Sequence, residues 1–243
     1  MKFLSLGKEF GQLFEKSGVI VMKKLVDLSR SYFPNMPEAY GHRNFEIERY
    51  TNPKTNSRLS FLKFTSHTGT HIDAPFHFID GGETIDQFNV EEFTGIGYTI
   101  NLLKGSNEAI TLPEIEENVK QFSDAKFLFI RTGWEEKWNM GDKEAYVNAH
   151  PYIEEEAARF LASKIKFLGI DTISPEATFS SGKRLGSPVH EILLSKRVLI
   201  IENLCGLKEV TGYRFLVYAF PLNLIGTDGA PARVVAEKLE EVC

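Results

Sequence analysis

Cysteine is scarce: the 243-residue chain has two, Cys205 and Cys243. They lie far apart, one in an apolar segment and one at the terminus, which excludes a disulfide framework and a cysteine-based zinc site and fits a reducing cytoplasm. Basic residues are not in excess either. Against 33 acidic residues stand 28 lysines and arginines, a net charge of −5, so there is no electrostatic footprint for nucleic acid. No apolar run reaches the ~20 residues that a bilayer span needs. The opening stretch MKFLSLGKEFGQLFEK is broken by Lys8, Glu9, Glu15 and Lys16 and lacks the apolar core of an export signal. Its Phe3, Leu6, Phe10, Leu13 and Phe14 recur at helical spacing. Residues 1–23 therefore read as an amphipathic extension, either a short helix docked on the body or on a neighbouring subunit, or a partly ordered terminus. No Gly/Ser/Pro-rich linker, repeat or low-complexity segment divides the rest, and residues 24–243 read as one domain.

Histidine, by contrast, is concentrated. Three of the six histidines lie within eleven residues, His67-Thr-Gly-Thr-His71-Ile-Asp73-Ala-Pro75-Phe-His77. Imidazole and carboxylate are the usual ligands of zinc, manganese and iron. The β-branched Thr68, Thr70 and Ile72, together with Gly69 and Pro75, disfavour a helix. An extended reading puts His67, Gly69, His71 and Asp73 on one face, with Gly69 leaving room for a metal between the two histidines. Pro75 ends the strand and brings His77 in from another direction.

Apolar runs at 99–103, 127–130, 167–170, 198–201 and 215–220 read as buried strands. Helices are expected at Pro113–Phe122, Glu154–Lys164, after Ser187-Pro188, and from Pro231 to Glu241. Gly81-Gly82, Gly95 and Gly97 mark turns in a β-rich N-terminal half. The mixture makes an α/β protein.

Glu202 closes the apolar run Val198-Leu-Ile-Ile. A buried carboxylate must be paired or metal-bound, whereas one at the strand's mouth meets solvent. His190 falls in the first turn of the Ser187-Pro188 helix, where the helix end would favour a neutral, ligating ring; alone it reads equally as a surface histidine. Asp171 and Ser174, just past a strand, support the site or cap the strand end. Arg131 and Trp134 suit a salt bridge and core packing, and His150 a turn. His42 lines the pocket or faces solvent. Some of the 19 phenylalanines exceed one core's needs, which makes Phe76 and Phe78, beside the histidines, candidates for an aromatic substrate pocket.

The window resembles the signature of the cyclase family of metal-dependent hydrolases, which includes bacterial kynurenine formamidase and isatin hydrolase. The pattern His-x-Gly-Thr-His-x-Asp-x-Pro-x-His is met at every fixed position. The resemblance runs from Val26-Asp-Leu-Ser29 through Arg131-Thr-Gly-Trp134, Gly169-Ile-Asp-Thr-Ile-Ser174, His190 and Glu202 to Ala230-Pro-Ala-Arg-Val-Val-Ala236. It implies a swivelling β/β/α fold with a mixed sheet and flanking helices. It also implies one metal on His67, His71 and Asp73, and a second shared by Asp73 and held by His190 and Glu202. His77 would be the acid/base, or else a supporting group or further ligand. The segment from Pro34 to Glu46 lacks the tryptophan-bearing stretch associated with kynurenine formamidase, so the metal chemistry transfers further than the substrate.

The implied activity is hydrolysis of an amide, an N-formyl aryl amide or a cyclic amide, by a metal-activated water, with zinc ahead of manganese and two ions per chain. The implied assembly is a homo-oligomer, dimer or tetramer. A non-haem iron oxygenase built on His71, Asp73 and His190 is the rival from another class; it leaves His67 and Glu202 unused and calls for an all-β fold. A non-catalytic metal protein is the third reading, and His77 beside the ligands speaks against it.

Overall fold

The computed structural model describes residues 24–138, 143–177 and 186–239. The extension expected at residues 1–23, and Cys243, lie outside the described residues. The strands are β1 (Leu25–Asp27), β2 (Glu46–Thr51), β3 (Arg58–Lys63), β4 (His71–Asp73), β5 (Thr94–Asn101), β6 (Ala109–Ile110), β7 (Phe127–Arg131), β8 (Tyr152–Ile153), β9 (Phe167–Ile170), β10 (Leu199–Glu202), β11 (Arg214–Pro221) and β12 (Gly229–Lys238). The helices are α1 (Leu112–Asn118), α2 (Lys143–Asn148), α3 (Glu155–Leu161) and α4 (Pro188–Ser195).

One sheet runs β12, β11, β5, β7, β9, β10, β4, and β4 pairs back onto β12. Seven strands thus close on themselves, and β1 adds to β12 beside the ring. Strands β5, β7, β9 and β10 are parallel, and the other pairings of the ring are antiparallel. This is the α/β architecture with mixed sheet and flanking helices that the sequence implies.

Side-chain alternation builds two cores from the same strands. Phe127, Phe129, Phe167, Leu199 and Ile201 point into the closed sheet with Val217 and Val234. Leu128, Ile130, Leu168 and Ile200 point outward, under Ile115 of α1, Leu161 of α3 and Leu193 of α4. Because both faces are covered, these strands are apolar throughout. Inside, Phe127 and Phe167 stack with centroids 4.2 Å apart, and burying each ring contributes about 1.5–3 kcal/mol. Arg131 ends β7 in ion pairs with Glu135 and Glu136, and Trp134 is buried with its indole N–H donated to the Tyr146 carbonyl, as expected of both.

Two expectations fail. The helix expected from Pro231 is a strand over its described residues: β12 pairs with β4, β11 and β1. A mostly buried apolar run fits a central strand as well as a helix, and pairing on both edges decides for the strand. Gly95 and Gly97 lie within β5 and mark no turn. A Cβ on Gly97 would meet Phe215 and Val217, each at 2.5 Å, so this glycine lets β11 side chains cross the sheet interior.

Candidate metal centre

The closing strand β4 is His71-Ile-Asp73. On one side His71 is in register with Glu202 of β10, and on the other with Pro231 of β12. Paired residues share a face, so His71, Asp73 and Glu202 all point to the side that α4 covers. From α4 comes His190. Its backbone N–H and Nδ1 both reach Glu176 Oε1, at 2.8 and 2.9 Å, which turns Nε2 towards Glu202 Oε1 at 3.2 Å and Asp73 Oδ2 at 3.5 Å.

His67 arrives differently from the extended reading. It sits in a turn, and only His71–Asp73 is strand. Gly69 is the reason, with φ +62°, a conformation that favours glycine. Nor does it leave room for an ion: a Cβ there would meet the Tyr32 ring at 2.5 Å. The turn still delivers the ring, with Nδ1 2.7 Å from Asp73 Oδ1 and Nε2 2.8 Å from Asp228 Oδ2. His71 donates Nδ1–H to the Gly69 carbonyl at 2.8 Å, which leaves Nε2 as its free ring atom. That carbonyl is held in turn by Asn203 Nδ2 at 3.0 Å, so a buried amide orients the ring from behind.

The structure therefore brings together His67, His71, Asp73, His190 and Glu202, all less than a tenth exposed. The two oxygens of Asp73 face opposite ways, Oδ1 to His67 and to His71 Nε2 (3.2 Å), Oδ2 to His190. Two groups of potential ligand atoms, each within 4.8 Å, meet in Asp73: His67/His71/Asp73 and Asp73/His77/His190. His71 Nε2 and Asp73 Oδ2 are buried without a hydrogen-bond partner. Unpaired buried polar atoms are costly, and their convergence is what a cation-binding donor set presents. Asp228, missing from the expected site, joins His67 and His77 in a third group. Its Oδ2 takes both His67 and His77 Nδ1 (3.1 Å), the two rings stack at 3.9 Å, and Ser66 donates to Oδ1 at 2.8 Å.

Burial pushes the Asp73 carboxyl up, but His67, His71 and His190 outweigh it and hold it well below the usual range. Burial and Asp73 raise Glu202, yet the hydrogen bond from His190 and the close approach of His71 bring it down to about 2. Burial lowers His71, and Asp73 and Glu202 push it up to about 10. His190 is raised well above its ordinary value, with burial opposed by Asp73, Glu176 and Glu202. The helix end was expected to keep His190 neutral; the three carboxylates dominate instead. The cluster demands positive charge at its centre, and a divalent cation meets that demand.

Around the cluster, Asp171 accepts from Thr132 and from the backbone of Gly133 and Glu135, as a strand-end cap does. His150 is buried, its Nδ1 at the Pro151 carbonyl. Phe78 packs on His190 at 4.7 Å, while Phe76 is 46% exposed. His42 is half-buried, its ring 5.9 Å from that of His67. Nearby Glu38 is pushed up to about 7, chiefly by burial, against contacts from the Phe45 backbone, His71 and Thr68.

A carboxyl raised above its ordinary 4.5 is most stabilising while neutral in both states, and that contribution is lost as pH climbs through the folded value. Glu38→Gln is therefore expected to melt like the wild type near pH 4.5 and above it at pH 8, with the gap opening between about pH 4.5 and 7. Thermal melts of the metal-free proteins check this; a gap that does not change with pH would contradict it.

The Cyclase family model matches residues 26–177. The chain is 28% identical over 213 residues to a kynurenine formamidase of Bacillus cereus, covering 86% of this chain and 95% of that protein. Among solved structures, one described as a potential metal-dependent hydrolase with cyclase activity is 30% identical, with TM-score 0.71 over 90% of this chain and all of that one. Isatin hydrolase A from Ralstonia solanacearum shares the fold, at TM-score 0.76 and 24% identity over 89% of this chain and 92% of that one. The family match spans more than half of the sequence and includes the histidine window, and the chain belongs to the Cyclase family.

Proposed function

We propose that the protein is a metal-dependent hydrolase of a C–N amide bond, acting on an N-formyl aryl amide such as N-formylkynurenine or on a cyclic amide such as isatin. The observation that carries this reading is Asp73, whose two buried oxygens face separate histidine groups beside His77. Its relatives support it: a kynurenine formamidase and an isatin hydrolase each cleave such a bond by name. His67, His71 and Asp73 would hold one ion, and Asp73, His190 and Glu202 a second. The His/carboxylate set without thiolate suits zinc, then manganese. When bound, the metal supplies an acidified water and polarises the carbonyl.

The protein's own groups do the rest. Asp228 anchors His77 through Nδ1, so Nε2 is the atom left to work. At Nε2 His77 takes the proton from the attacking water and gives it to the leaving nitrogen. Phe78 packs its ring against that of His190, centroids 4.7 Å apart. The oxygenase reading gives no work to His67 or Glu202, both of which point into the cluster.

The test is elemental analysis of the purified protein, with turnover of N-formylkynurenine and isatin after zinc or manganese is restored. About two metals per chain with turnover of either substrate supports the reading; no metal after reconstitution overturns it. Metal is also expected to raise the melting temperature, because it binds the folded state alone, by about 2.7 kcal/mol of added stability at a hundredfold excess over Kd. We further propose a homo-oligomer. The β2–β3 hairpin exposes Tyr50, Phe61 and Leu62, and such an apolar ribbon gains most from a second copy; sedimentation at several concentrations checks it. The few cysteines support a cytoplasmic site of action, and no helix among the described residues is long and apolar enough to cross a membrane.

A further inference from the structure

Behind the metal centre runs a chain of buried polar groups that ends on His71. His71 Nδ1–H and the side-chain amide of Asn203 both donate to the Gly69 carbonyl, at 2.8 and 3.0 Å. Asn203 Oδ1 lies 3.1 Å from the Tyr146 hydroxyl, which also faces the Asp171 carbonyl at 3.2 Å. Asn203 is 2% exposed and Tyr146 1%, so water relieves neither of them.

Donor and acceptor chemistry fixes each role along this chain. A carbonyl only accepts, so the Asn203 atom facing Gly69 is the amide nitrogen and the atom facing Tyr146 is the oxygen. The Tyr146 hydroxyl, set between two acceptors, donates. An aspartate in place of Asn203 would turn an oxygen towards the Gly69 carbonyl. The same carbonyl requires a proton on His71 Nδ1. Nε2 is then the atom that looks towards Asp73 Oδ1 at 3.2 Å and Glu202 Oε2 at 3.3 Å.

The backbone of Asn203 ties the two ligand-bearing strands together. The residue follows Glu202 directly, in the left-handed conformation with φ +56°. Its carbonyl accepts from Thr70 Oγ1 at 2.8 Å, and its N–H donates to the Thr172 carbonyl at 2.8 Å. Asn203 thus grips the approach to His71 at Gly69 and at Thr70, and it fixes the exit from Glu202. His71 and Glu202 are register partners, and Asn203 holds that pair from behind.

We propose that Asn203 is a positioning residue of the metal centre, acting on His71 through the Gly69 carbonyl, with Tyr146 keeping its amide in the working orientation. The inference rests on the metal-binding reading and concerns how tightly the ion is held. Two donors on one carbonyl confine the His71 ring before any ion arrives, so the cation meets a ligand already aimed.

The test compares the wild type with Asn203→Gly, Asn203→Asp and Tyr146→Phe. Glycine takes the left-handed backbone without strain. The turn before His71 keeps the Tyr32 hydroxyl, 2.6 Å from the Thr68 carbonyl and 3.1 Å from that of Thr70, so Asn203→Gly removes the amide and little else. Zinc affinity is read by chelator competition, and ligand geometry by the visible absorption of the cobalt-substituted proteins. Asn203→Gly is expected to bind zinc about 10- to 100-fold more weakly, the usual effect of losing a group that orients a ligand, with a shifted cobalt spectrum. Asn203→Asp should bind more weakly still, and Tyr146→Phe between the wild type and Asn203→Gly. A merely structural role at this turn leaves Asn203→Gly with wild-type affinity and spectrum, and that result overturns the proposal. Should Asn203→Gly fail to fold, an unchanged affinity and spectrum in Tyr146→Phe overturns it instead. If the wild type binds neither metal, the metal reading has failed separately, and the His71 Nδ1–H resonance of the metal-free proteins decides. Exchange with water about tenfold faster in Asn203→Gly sustains the positioning role, and equal exchange ends it.

Discussion

Asp73→Ala is expected to strip the protein of its metal and to lower amide hydrolysis by about a thousandfold or more, the scale of several kcal/mol of lost transition-state stabilisation. Asp73 is the residue common to the groups His67/His71/Asp73 and Asp73/His77/His190. Its Oδ1 serves His67 and His71 and its Oδ2 serves His190. Removing it takes the common ligand from both groups at once, whereas losing His67 or Glu202 would leave one group whole. The metal-free fold suffers too. Three buried histidines lose the carboxylate that favours their charged form, and breaking a buried pair by deleting one partner costs about 3–5 kcal/mol. Asp73→Asn keeps the volume and separates this folding effect from ligation. Elemental analysis and turnover on both variants check the expectation; wild-type metal content in Asp73→Asn, with activity intact, would sink the shared-ligand assignment.

His77→Ala is expected to behave in the opposite way, keeping its metal while kcat falls about 10²- to 10⁴-fold, the range of general acid–base catalysis. The side chain is 22% exposed, so its loss empties little buried space. It stacks on His67 and meets Asp228, while the primary ligand triad His67/His71/Asp73 is complete without it. Yet His77 also stands within ligand distance of Asp73 and His190, and the metal measurement separates the two roles. A base removed leaves the ions in place and flattens one limb of the pH–rate profile; a ligand removed releases an ion. Asp228→Asn should reproduce part of the kinetic loss, because the amide still reaches His77 Nδ1 without the charge that holds both rings.

The central cluster was legible because its ligands crowd into eleven residues, and because a carboxylate ending the apolar run at Glu202 stands out. The five strands read from apolar runs all appear, shifted by a few residues at most at the ends of most of them. What stayed hidden depends on contacts distant in sequence. Asp228 stands three residues before the segment expected to be helical, with no local mark of a site residue; only the pairing of β12 with β4 carries it to His67. Glu176 follows Ser174-Pro175 without any local sign that it would seat a helix's first turn and orient His190. Glu38 lies in a stretch where turn-forming residues obscure any period, and its meaning comes from Tyr32 and Met36 folding that stretch over Gly69. The missed C-terminal strand has the same cause: Val234 and Val235 suit either structure until two neighbouring strands supply hydrogen bonds.

The three residues of β4 are hydrogen-bonded to β10 on one edge and β12 on the other. Ligand-bearing backbone at a free edge could breathe, and ion exchange would follow that breathing. Here the strand cannot lift without breaking its pairing on both edges at once. Metal uptake and release therefore reduce to rotations of side chains about a stationary frame, and the Ile72 amide should resist hydrogen exchange almost as long in the chelated protein as in the loaded one.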